Sequence, residues 1–188
     1  MLIIYTFFTE VLGYFIKFSD QFQFFSDDRY TWHNVVIFNA YQLVFFLFFF
    51  EVYRKLLHNT KIKRWVLYLS IVCVIAYLVN AFLYNPLHNQ MTYAHIIGSL
   101  MMLFILAKYF IEKYREENPQ PLKFNVMFWI SIGLLAFYTT FPAMLIAYKM
   151  KVSLQIQAYF RPVLVTSILL MYGFIIFGLL VGKRKAFR

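Results

Sequence analysis

The sequence predicts an all-α, polytopic transmembrane helical bundle, with about six membrane-spanning helices in one domain over residues 1–188. Three observations carry that reading. Only 14% of the residues are charged, whereas soluble domains need about a quarter to cover their surface. Hydrophobic residues make up 62% of the chain and its mean hydropathy is +0.65. The apolar residues also fall in blocks, most of them close to the ~20 residues that cross a bilayer core as a helix. Lipid offers the backbone no hydrogen-bond partners, so such blocks must be helices, and the alternation that marks a membrane barrel is absent.

The expected spans are 1–16, 34–53, 65–84, 91–111, 125–148 and 158–182. The first is short and carries Glu10. The second contains the run Phe45-Phe46-Leu47-Phe48-Phe49-Phe50, and the third holds the single cysteine, Cys73, which has no disulfide partner and reads as a small core hydrophobe. A turn at Asn85-Pro86-Leu87-His88 separates the third span from the fourth. Glu116-Glu117-Asn118-Pro119-Gln120-Pro121 closes the fourth and opens the fifth. Pro142 and Pro162 are expected to kink or start helices. Trp32, Trp65 and Tyr148 sit where interfacial anchors belong. Short connections imply antiparallel neighbours, and no internal repeat of the kind that builds inverted-half transporters is visible. The start, Met1-Leu2-Ile3-Ile4-Tyr5, lacks a basic region and a small-residue cleavage site, so no cleavable signal peptide is expected.

Charge sets the expected orientation. Lys and Arg number 18 against 8 Asp and Glu. If alternate segments face the cytoplasm, 13 basic residues lie inside (among them Arg54, Lys55, Lys61, Lys113 and Lys183) and 5 outside. The positive-inside bias then places the C-terminus in the cytoplasm, and six spans would put the N-terminus there too. The same clustering disposes of nucleic-acid binding, because no soluble basic face exists to hold a duplex.

Three segments carry a resemblance: Tyr5-Thr6-Phe7-Phe8-Thr9-Glu10-Val11-Leu12-Gly13, Asn39-Ala40-Tyr41-Gln42, and Phe128-Trp129-Ile130-Ser131-Ile132-Gly133 with the residues up to Tyr138. Together the chain resembles a family of small, uncharacterised polytopic inner-membrane proteins common in Bacteroidota, often with about seven helices. The resemblance implies one further hydrophobic helix ahead of the Glu10-bearing one. On that reading the start is truncated or misassigned, the full protein has seven spans and its N-terminus lies outside. It also implies a bacterial inner-membrane location and, by analogy with some relatives, a part in sensing. It supplies no catalytic residues.

Polar groups inside a membrane are costly and mark candidate sites. Glu10 reads as a proton site, an ion ligand or a partner for a cation, or else as a protonated carboxyl bonded to a neighbouring helix. Arg161 either pairs with Glu10, binds an anionic group, or snorkels to the headgroups. His95 is a ligand contact or a packing hydrogen bond. Asn39, Gln42, Asn80, Thr139 and Thr140 read singly as interhelical glue. All eight belong to the outer half of the bundle under this topology, and inward-facing side chains would line a polar cavity there. Glu51 beside Arg54 and Lys55 reads as an interfacial charge pair. Gly178 and Gly182 form a small-xxx-small packing motif that would suit dimerisation.

No zinc-protease motif, intramembrane aspartate pair or phosphate loop occurs, so no catalytic residues, metal or cofactor are expected. His33 and His95 make an unconvincing haem pair, since His33 lies at a helix end or in a loop. The leading expectation is a non-enzymatic sensory or accessory component. Its partners would be membrane lipids and another membrane protein, such as a signalling kinase or complex subunit. A small transporter or proton-coupled carrier using Glu10 is the second reading. A lipid-modifying enzyme with Glu10 and His95 as acid and base is the third, and it requires the two side chains to converge.

Overall fold

The computed structural model describes residues 33–87, 89–116, 122–153 and 159–182, with Val11 and Ile156 besides. Among them are five long α-helices: α1 (His33–Leu56), α2 (Thr60–Leu83), α3 (Thr92–Tyr114), α4 (Val126–Lys149) and α5 (Phe160–Val181), with a 3-10 turn at Leu122–Phe124 before α4. At ~1.5 Å of rise per residue, helices of 22 to 24 residues reach across a hydrocarbon core of ~30 Å. The described residues form helices and their connections without a strand, and four of the described helices (α2, α3, α4 and the Pro162–Val181 part of α5) are long and apolar enough to cross a membrane. About six spans were expected. The 1–16 span lies outside the described residues apart from Val11, and α1, which carries Asn39, Gln42 and Glu51, is not among the four.

Burial sorts the helices. In α3, 44% of the apolar window is enclosed, against 22% in α2 and 17% in α5, so α3 is central and the other two are peripheral. The outward faces stay apolar: Ile71, Ile75, Leu78, Leu169, Ile176 and Leu180 are all exposed. A multi-pass membrane protein needs such an exterior, because hydrocarbon solvates it.

The Phe-rich run of α1 fills the centre. Phe46, Phe50 and Tyr53 are fully buried, and Phe46 lies so close to Gly98 of α3 that a Cβ there would overlap its ring. Small residues also set the α4–α5 seam. Gly133 brings the backbone of α4 against the Met171 carbonyl, while Gly178 and Gly182 of α5 receive Trp129 and Val126 of α4. The small-xxx-small motif is therefore used within the chain. Trp129 then packs on Phe174, ring centroids 6.1 Å apart, and edge-on to Phe177 at 4.6 Å.

Helix ends depart from the apolar blocks for identifiable reasons. α2 begins at Thr60, five residues before the expected span, because the Asn59 side chain accepts the Lys61 and Ile62 amides and so supports a charged first turn. α4 runs through Pro142 and closes in a Schellman turn. Lys151 adopts φ 51°, its amide bonds the Tyr148 carbonyl, and the Val152 amide bonds that of Ala147.

The up-and-down arrangement gives the bundle two ends. The asparagine end carries the 84–91 and 150–159 connections, and the basic end carries the 57–59 and 115–125 connections.

Candidate functional site

The asparagine end is built around the start of α3. A helix N-terminus exposes amides with no partner of their own, and Met91, the N-cap, supplies no side-chain acceptor. Two neighbouring helices supply them instead. Asn39 of α1 accepts the Met91 amide at 3.1 Å and donates to the Pro86 and Asn89 carbonyls, each at 3.1 Å. Asn80 of α2 accepts the Ala94 amide at 3.1 Å. Both asparagines are 4% exposed. Above them opens a cavity of about 640 Å³ whose wall includes Asn80, Asn89, Gln90, Tyr93, Tyr148 and Lys149. The Lys149 ammonium stands 5.2 Å from the Tyr93 ring centre and 5.9 Å from that of Tyr84, with no carboxylate in ion-pair range among the described residues.

Deeper in the same half, the remaining candidates pair between helices. Gln42 of α1 donates to the Tyr138 hydroxyl of α4 at 3.1 Å, and the Tyr77 hydroxyl of α2 meets His95 Nδ1 of α3 at 2.8 Å. Among the described residues His95 Nε2 is buried without a hydrogen-bond partner, beside the Phe38 ring at 5.7 Å. Thr140 bonds Ser167 of α5 at 2.8 Å. Thr139 is exposed and bonds only the Leu135 carbonyl of its own helix, so it stands apart from the others. Asn80 lines the end cavity, whereas Gln42 lines a separate apolar groove of about 100 Å³ between α1, α4 and α5. Glu10 lies outside the described residues. Arg161 opens α5, but its side chain lies outside them too, as does that of His33 at the start of α1.

The basic end holds polar groups that the sequence reading did not single out. Tyr53 of α1 donates to Ser131 of α4 at 2.7 Å, and Ser131 donates in turn to the Met127 carbonyl at 2.6 Å. Glu112, in the last turn of α3, accepts the His58 and Asn59 amides ahead of α2 at 2.5 and 3.2 Å, so α2 is also capped from a neighbour. Its other oxygen, Oε2, is buried and has no hydrogen-bond partner among the described residues, and the Tyr109 hydroxyl one turn earlier is in the same condition. Both residues line a cavity of about 310 Å³. The overlooked signal was the i, i+3 pairing of Tyr109 with Glu112 at the boundary of the apolar block, where each reads alone as an anchor or a loop charge. Glu51 pairs with Arg54 through two contacts of 2.6 and 2.8 Å and with Lys55 at 3.6 Å, at the surface.

Among the described residues no group of three His, Cys, Asp or Glu side chains is placed to hold a metal ion. Among the described residues the arrangement joins helices and leaves a polar cavity at each end. No family model, curated protein or solved structure matches the chain.

Proposed function

We propose that the protein is a non-enzymatic sensory or accessory component of a bacterial inner membrane, receiving a small anionic ligand at its asparagine end. One observation carries the reading: Lys149, a cation with no acidic partner among the described residues, stands over two tyrosine rings in the wall of a cavity of about 640 Å³. Amide groups of Asn89 and Gln90 lie in the same wall and suit a polar ligand. The buried side chains below are joined to one another across helices, which supports a framework for the cavity more than a reacting pair. The basic-residue asymmetry supports an extracytoplasmic opening.

Two measurements test this. A cysteine placed at exposed Leu87 should react with a membrane-impermeant maleimide in intact cells, with little background because Cys73 is buried. Labelling only after permeabilisation would reverse the orientation. In detergent, a panel of dicarboxylates, phosphate monoesters and sulfonates should contain a compound that raises the melting temperature of the wild type and not of Lys149→Gln. A panel that never separates the two proteins removes the ligand assignment.

A further inference from the structure

The cavity at the basic end lies at the opposite pole from the site proposed above and has its own chemistry. Its volume, about 310 Å³, is well above the roughly 30 Å³ that one water occupies in the liquid and sits at the lower bound of small-molecule pockets. Leu56 and Leu57 form part of its wall, so its lining is amphipathic.

Two acceptors in that wall are buried and, among the described residues, unmet. Glu112 Oε1 is committed to the two amides before α2, which fixes the carboxylate and leaves Oε2 with no hydrogen-bond partner. Tyr109 is 2% exposed, and its hydroxyl is unpaired as well. A buried carboxylate oxygen repels anions and calls for a donor. The other charges are arranged differently. Glu116 is taken up by Lys113 at 2.8 Å, whereas Arg115, exposed at the rim, has no ion pair among the described residues. A donor cation is therefore wanted inside and an anion at the mouth. The site follows the last apolar turn of α3, where lipid headgroups meet a membrane helix.

We propose that this cavity binds a phosphoethanolamine group, its primary ammonium donating to Glu112 Oε2 and the Tyr109 hydroxyl and its phosphate meeting Arg115. A trimethylammonium group has no N–H to give and is excluded by the same chemistry. The group reaches the site either as the headgroup of phosphatidylethanolamine or as soluble phosphoethanolamine.

The test separates these sources. The full chain is extracted from vesicles of equimolar phosphatidylethanolamine and phosphatidylcholine, and retained lipid is counted by native mass spectrometry. Expected is a preference for phosphatidylethanolamine on the order of tenfold, the size of one hydrogen bond to a charged group. Glu112→Gln should abolish it: the amide oxygen keeps the His58 and Asn59 amides, and the NH₂ turns a donor toward the ammonium. Tyr109→Phe preserves the packing and should reduce the preference even if Glu112→Gln does not fold. In a second arm, phosphoethanolamine is added to protein in phosphatidylcholine alone. Stabilisation there, lost in Glu112→Gln, with no lipid preference in the first arm, identifies the soluble source. Equal retention of both lipids with no response to phosphoethanolamine overturns the proposal, and so does a preference that survives both substitutions.

Discussion

Asn39 offers the sharpest measurement of what holds the asparagine end together. Asn39→Leu keeps the branching and removes the amide, so three groups lose a partner: the Met91 amide and the Pro86 and Asn89 carbonyls. They are not equal. Met91 is buried, and a buried N–H left unmet costs about 1–3 kcal/mol. Pro86 is half-buried and Asn89 exposed, so water replaces the side chain there and each adds on the order of 0.5 kcal/mol. The sum is about 2–4 kcal/mol, well above the ~0.6 kcal/mol average of an interhelical hydrogen bond in a membrane protein. Unfolding by SDS titration in mixed micelles reads the total, and hydrogen exchange reads its location. The Met91 amide should exchange faster while those at the basic end keep their protection. A loss under about 0.5 kcal/mol, with Met91 protection unchanged, would refute the assignment of Asn39 as a cap.

Four further outcomes follow from the same geometry, each read by the same titration. Gly178→Ala places a Cβ 2.7 Å from Trp129 Cβ and 3.2 Å from the Val126 carbonyl, and should destabilise by about 1–3 kcal/mol. Gly173→Ala, on the same helix, meets nothing within 4 Å and should gain up to about 1 kcal/mol; equal effects at both positions would contradict the seam. Tyr53→Phe should cost about 1 kcal/mol, and combining it with Ser131→Ala should add less than the sum of the single changes, because both remove the same 2.7 Å bond. Lys151→Gly should stabilise by about 1 kcal/mol, since the turn needs positive φ; a neutral result would place that residue's backbone elsewhere.

The helices were legible in the sequence because hydrocarbon leaves the chain so few options, and the observed ends of α3 and α4 fall within a few residues of the apolar blocks. The start of α2 was missed because its first turn is charged, although the adjacent Asn59 caps it; what could not be read locally is Glu112, more than fifty residues further along, which holds the two amides just before the helix. Asn39, Gln42, Asn80 and His95 stood out as polar side chains in apolar surroundings. Their partners did not: Tyr138, Tyr77 and the backbone of the 84–91 turn carry no signal of pairing until the helices are placed. Thr139 and Thr140 are adjacent and chemically identical, yet helical rotation sends one outward and the other to Ser167. Tyr109 and Glu112 were obscured by composition, because aromatic and charged residues are commonplace at a membrane boundary.

The borrowed cap on α3 has a consequence for biosynthesis. A chain made from its N-terminus completes the helices bearing Asn39 and Asn80 before the segment whose amides they satisfy. The third helix is thus received by acceptors already in position. A circularly permuted chain that began at α3 would insert that helix with its leading amides bare, and the native order of synthesis spares it that step.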